Sequence, residues 1–193
     1  NVNLVALFGP EHGVRGDVYA GDKVDNLTDA RTGLPVYSLY GSTRKPTPEM
    51  LQGIDVLVYD IQDNGCRSFT YISTMGLAME AAAELGIEFV VLDRPNPLGG
   101  LKVEGNLTEP SFISFVSQFP IPYLYGLTCG ELAMLINSEK MTAQPCKLTV
   151  VKMKGWKRSM KWEDTGLPWV VASPHLPHNH SSTFYPTTGI LGE

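Results

Sequence analysis

The sequence predicts an α/β domain built on a mainly parallel β-sheet. Three observations carry that expectation. Short apolar runs of strand length alternate with segments of helical composition. The runs stop abruptly at Gly, Pro or Asp. A chain of 193 residues, 43% hydrophobic and 18% charged, has what one packed core requires. Strands separated by helices pair in parallel through right-handed crossovers, and ligands of such folds bind outside the carboxyl ends of the strands.

Taken in order, residues 2–8 read as a buried strand ended by Gly9-Pro10, and residues 36–39 as a second. Thr47-Pro48-Glu49 has the form of a helix start, with Thr47 as N-cap and Pro48 in the first turn, and Gly53 stops that helix early. Residues 54–59 form a strand. The Ala, Met and Glu content of residues 73–85 predicts a helix, with Gly86 at its C-terminal cap. Residues 87–92 are another strand, stopped at Asp93-Arg94-Pro95. The Gly- and Pro-rich stretch 95–122 is an excursion over the strand ends, followed by a helix at 128–137 and a last strand at 148–153. The tail from Trp156, rich in Trp, Pro, Ser and His, follows no clear period.

Composition excludes some functions. The net charge is −5, and the densest basic stretch, 152–161, is too short and isolated to argue for nucleic-acid binding. No apolar run is long enough to span a membrane, and no signal peptide opens the chain. Its abrupt start and end predict a piece of a longer protein. Cys66, Cys129 and Cys146 are too few for a disulfide scaffold and lack zinc-ribbon spacing. One pair could bridge in an oxidising compartment; small semi-buried residues are the simpler reading.

The chemistry is expected immediately after the strands. Glu11, His12 and Arg15 follow the first; Asp60, Gln62, Asp63 and Arg67 follow residues 54–59; Asp93, Arg94 and Asn96 follow residues 87–92. Such carboxylates and guanidinium groups suit glycosidic-bond hydrolysis. One carboxylic acid protonates the leaving oxygen, and a second carboxylate activates water or attacks directly. An arginine can hold a substrate carboxylate through two parallel hydrogen bonds. Asp60 and Asp93 have a plain structural alternative, capping the turns they begin. Thr128-Cys129-Gly130-Glu131 fits a capping box, which on sequence alone is the favoured role of Glu131. Glu104 is either a loop carboxylate near the site or solvated surface. His175, His178 and His180 cluster in a proline-broken segment that sets no metal-ligand geometry, so the prediction is no metal, with the segment lining the pocket or packing on the domain. The glycine spacing at 9, 13 and 16 is wrong for a dinucleotide fingerprint, and no Gly-x-Ser-x-Gly elbow is present.

Several motifs stand in series: Leu7-Phe8-Gly9-Pro10-Glu11-His12-Gly13 with Arg15-Gly16; Thr32-Gly33-Leu34-Pro35-Val36-Tyr37-Ser38-Leu39-Tyr40-Gly41; Asp60-Ile61-Gln62-Asp63 with Cys66-Arg67; Leu92-Asp93-Arg94-Pro95-Asn96-Pro97; and Gly126-Leu127-Thr128-Cys129-Gly130-Glu131-Leu132-Ala133. Over nearly the whole chain this series resembles the bacterial exo-β-N-acetylmuramidases of the NamZ type. The resemblance implies a Rossmann-like three-layer domain carrying the active site, with the family's smaller C-terminal domain missing. It implies an exported glycosidase that needs no cofactor and releases N-acetylmuramic acid from the non-reducing end of peptidoglycan fragments. Glu11 and Glu131 fall on the family's candidate catalytic glutamates. His12, Arg15, Asp60, Gln62, Asp63, Arg67, Asp93, Arg94, Asn96 and His175 would bind substrate. Many members carry Ser-Pro-Asn where this chain has Ser173-Pro174-His175. Three rivals stand beside this reading: a sugar-binding module without catalysis, a metal-dependent hydrolase using His12, the Asp63 region and the tail histidines, and a nucleotide-binding domain.

Overall fold

Parallel strand pairing dominates the architecture. The structure is a computed structural model that describes residues 2–192. The strands are β1 (Leu7–Gly9), β2 (Leu27–Thr28), β3 (Pro35–Ser38), β4 (Val56–Tyr59), β5 (Glu88–Leu92) and β6 (Lys147–Val151); the α-helices are α1 (Tyr71–Leu85), α2 (Cys129–Ser138) and α3 (Asn179–Gly192). The hydrogen-bonded ladders form two three-stranded sheets, ordered β1-β3-β2 and β4-β5-β6. β1 pairs with β3 in parallel, β2 joins β3 antiparallel, and the second sheet is parallel throughout. The α/β class and parallel pairing expected from the sequence are therefore present.

The core lies on one face of the second sheet. Register places Leu57 beside Phe89 and Tyr59 beside Val91, with Leu148 and Val150 next in line. Alternation sends all six side chains to the same side. There they pack with Ile72, Met75, Met79 and Ala82 of α1 and with Leu132, Ala133 and Ile136 of α2. The two helices that cover this sheet thus share one face. The opposite face carries Val56, Val58 and Val151, which are 43%, 50% and 50% exposed.

Each element has a local cause. α1 ends where Gly86, at φ 68°, bends left-handed and donates back to the carbonyls of Ala82 and Ala83. α2 begins at the capping box read from the sequence, with both of its reciprocal bonds formed. The structure also departs from the expected elements. The first strand is only three residues, because Val2, Leu4 and Val5 are exposed and find no partner strand among the described residues. Thr47 caps only a run of turns: it accepts from the Met50 amide, and Gly53 ends the run before an α-helix is established. The tail closes with a 3₁₀ turn at Trp162–Thr165 and with α3, which contains Pro186. Cys66, Cys129 and Cys146 are all buried and free.

Candidate active site

Glu11 sits in the loop that leaves β1, and the loop's geometry buries it. The Gly13 amide donates to the Pro10 carbonyl at 3.0 Å, closing a turn that holds His12 at φ 70°, a left-handed conformation that a side chain seldom adopts. His12 is locked there by its own ring. Nδ1 donates to the Val18 carbonyl at 2.8 Å, which fixes the tautomer, and the ring packs against Phe69 and Tyr71. Glu11, 8% exposed, accepts from the Gly21 amide at 3.1 Å and from the Thr70 hydroxyl at 2.5 Å. Tyr40, just beyond β3, brings its hydroxyl to the same carboxylate. Burial pushes the Tyr40 phenol above its ordinary value, and the Glu11 charge pushes it further.

Asp63 lies in the loop after β4 and is buried more completely. Oδ2 accepts from the Tyr125 hydroxyl and from the Gly65 amide at 2.6 Å, while Oδ1 has no hydrogen-bond partner among the described residues. Burial pushes its carboxyl up to about 6, against the lowering effect of those donors. The Tyr71 phenol is raised first by burial, and the charges of Glu11 and Asp63 both add to the rise. Around Asp63, Gln62 Oε1 and both polar atoms of the Asn64 side chain are buried without a partner. Unpaired buried polar atoms are uncommon in folded proteins and concentrate where a ligand or ordered water is bound. Gln62 Nε2 donates to the Asp63 and Pro95 carbonyls, tying this loop to the one after β5. Asn96 donates to the Leu127 carbonyl and lies flat on Gly65, where a Cβ would stand 2.2 Å from its Oδ1.

A third group forms at the start of α2. Asp93 accepts from the Gly130 amide at 2.8 Å and from the Thr128 hydroxyl at 2.9 Å, and so fastens the strand end to the helix N-terminus. Burial raises its carboxyl above the ordinary range despite these donors. Glu131 makes the capping-box bond to the Thr128 amide at 3.0 Å and an ion pair with Arg158 at 2.7 Å. The hydrogen-bond partners of Glu131 and Glu11 are different sets.

The remaining expected residues fall outside these groups. Asp60 pairs with Arg94 at 2.7 Å on the more exposed rim. Arg15 pairs with Asp29. Arg67 donates to the carbonyls of Asn106 and Ile121 and to the Ser117 hydroxyl, and thereby straps down the 106–123 excursion. His175 is exposed and packs on Tyr19 at 5.8 Å, while His180 lies 3.5 Å from Glu163. Among the described residues, no group of three or more His, Cys, Asp or Glu is placed to hold a metal ion.

Sequence reasoning missed Tyr40, Arg44, Thr70, Tyr71 and Tyr125. Tyr40 and Arg44 follow β3, so the rule of searching after each strand reaches them. Tyr125 enters from the aperiodic excursion, where no such rule applies.

The family model described as exo-β-N-acetylmuramidase NamZ, N-terminal, matches residues 1–180. The peptidoglycan β-N-acetylmuramidase NamZ of Bacillus subtilis (strain 168) is 57% identical over 191 residues, covering 99% of this chain and 46% of that protein. Two crystal structures of DUF1343 family proteins from Bacteroides fragilis NCTC 9343 are similar. One, with TM-score 0.91 and 72% identity, covers 100% of this chain and 48% of its own; the other, with 0.82 and 34%, covers 98% and 49%. The chain therefore spans about half the length of the relatives it matches.

Proposed function

The chain belongs to the NamZ N-terminal family of exo-β-N-acetylmuramidases, and from that premise we propose that it carries the active site of a glycosidase that releases N-acetylmuramic acid from peptidoglycan fragments. The observation that carries the reading is Glu11: a buried carboxylate at a strand's carboxyl end, held by an amide, a hydroxyl and a phenol. Hydrolysis of a glycosidic bond asks for a carboxyl group held in a fixed position, and chemistry of this type needs no cofactor.

In this reading Glu11 is one catalytic carboxylate and Glu131 its partner, with Asp93 fixing the helix start on which Glu131 stands. Asp63 keeps a protonated carboxyl up to about pH 6 and positions the sugar. His12, Gln62 and Asn96 hold the loops in register. Peptidoglycan lies outside the cytoplasmic membrane, so we place the parent protein among exported enzymes.

The test is turnover of a chromogenic N-acetylmuramic acid β-glycoside by the full-length parent. Glu11→Gln, folded as judged by circular dichroism, is expected to lose about 100-fold or more of kcat. Near-normal turnover by that variant removes Glu11 from the chemistry. A folded parent that binds muropeptides but releases no reducing sugar is a binding module instead.

A further inference from the structure

We propose that Arg44 is the specificity residue of this site, the cation that grips a carboxylate borne on the sugar to be cleaved. The inference rests on the glycosidase reading and goes beyond it, because it assigns the recognition of acidic over neutral sugars to one side chain. N-acetylmuramic acid differs from N-acetylglucosamine by a lactyl ether that ends in a carboxylate. An enzyme that prefers the former needs a cation at that position, close to the catalytic carboxylate and not neutralised by the protein itself.

The other arginines near the strand ends do not meet that condition. Arg15, Arg94 and Arg158 each already face a carboxylate: Asp29, Asp60 and Glu131. Arg67 is spent on two carbonyls and a hydroxyl. Arg31 is exposed on the turn before β3. Arg44 has no carboxylate within ion-pair distance among the described residues, and its buried Nη1 has no hydrogen-bond partner.

Its placement is equally specific. The guanidinium carbon lies 3.5 Å from the centroid of the Tyr40 ring and 4.6 Å from that of Phe115, whose rings are 6.1 Å apart. Stacking on aromatic faces fixes the plane in which the guanidinium N–H groups donate, and one of them reaches the Tyr40 hydroxyl. The Tyr40 hydroxyl reaches Glu11, so Arg44 stands one side chain away from the catalytic carboxylate. A planar fork held in this way is suited to a carboxylate, which accepts two parallel hydrogen bonds from it. A buried N–H on a cation without an acceptor is costly, and a bound anion removes that cost.

The experiment uses the full-length parent with Arg44→Gln and Arg44→Lys, each checked for folding by circular dichroism and thermal melting. Chromogenic β-glycosides of N-acetylmuramic acid and of N-acetylglucosamine are compared, and free N-acetylmuramic acid is titrated by calorimetry. Arg44→Gln is expected to raise KM for the muramic substrate by about 10- to 100-fold, the loss of a charge-assisted hydrogen bond, with kcat changed far less. Turnover of the glucosamine substrate stays as it was, so the preference collapses. Arg44→Lys keeps the charge without the fork and recovers part of the preference. A folded Arg44→Gln protein that retains the wild-type preference overturns the proposal and leaves the glycosidase reading intact. If the wild-type parent cleaves neither sugar, the glycosidase reading fails, and the titration decides for Arg44 alone. Muramic acid binding that is lost in Arg44→Gln upholds the grip, while equal or absent binding in both proteins overturns it.

Discussion

At the scale of single residues, the site is a set of carboxylates made different by their donors. Glu11 and Asp63 are both buried, yet Glu11 has each oxygen satisfied while Asp63 leaves Oδ1 bare. Thr70 is the donor whose role is most readily isolated. It sits where the chain turns into α1 and reaches back 59 positions to Glu11. Thr70→Val keeps the shape and removes the hydroxyl. The expected result is a fall in kcat of about 10- to 100-fold, the worth of a hydrogen bond to a charged group, with KM nearly unchanged. A urea midpoint that stays at the wild-type value while kcat falls separates an effect on Glu11 from a general loosening of the fold. Thr70 had no signal in the sequence: a threonine before a helical run reads as a cap, and only the fold brings Glu11 opposite it.

At the scale of elements, α2 is fixed by its first turn. Gly130 presses that turn onto β6, where a Cβ would come within 2.6 Å of the Val150 side chain and 2.8 Å of the Asp93 carboxyl carbon. Gly130→Ala is therefore expected to destabilise the protein by about 1–3 kcal/mol through forced repacking, read as a lower midpoint in urea. Thr128→Ala removes the N-cap and one Asp93 donor together, and is expected to lose about 1–2 kcal/mol in the same measurement. Both the capping box and the helix after it were legible in sequence, because local hydrogen bonding writes them within four residues. β4, β5 and β6 were legible to within two residues at each end, since each is a short run rich in apolar and β-branched residues, although one face of the sheet is exposed. β2, two residues long and exposed, was not, and neither was α3, with a proline inside and mostly polar residues.

At the scale of the whole molecule, Asp63 links stability to pH. Its carboxyl rises from an ordinary 3.8 in the unfolded chain to about 6 in the fold, so the neutral form is the one the fold favours. Its contribution is complete below the unfolded value and is lost as pH rises through about 6. Wild type and Asp63→Asn should therefore converge differently: the stability gap measured by urea melts changes between about pH 4 and 6 and is flat outside that window. A gap that is constant from pH 3 to 8 removes Asp63 from the titration. The candidate site was legible in part for a reason of the same scale. The rule that parallel strands aim their carboxyl ends at a ligand located Glu11, Asp63 and Asp93, but partners such as Tyr71 and Tyr125 depend on how distant segments fold over them.

One of those distant segments sets an order of events. The Tyr71 hydroxyl donates to the Ala172 carbonyl across 101 positions, and Gly16, in the loop beyond Glu11, lies so close that a Cβ there would stand 2.7 Å from the Val171 carbonyl. A nascent chain that has just delivered β6 has made all the strands of the described residues and both sheet-covering helices. The wall against which the Glu11 loop rests is still inside the ribosome. The support for the Glu11 loop therefore arrives after the sheet, with residues 171–172, and a protease that cuts between β6 and Ala172 separates a standing scaffold from the segment that braces this loop.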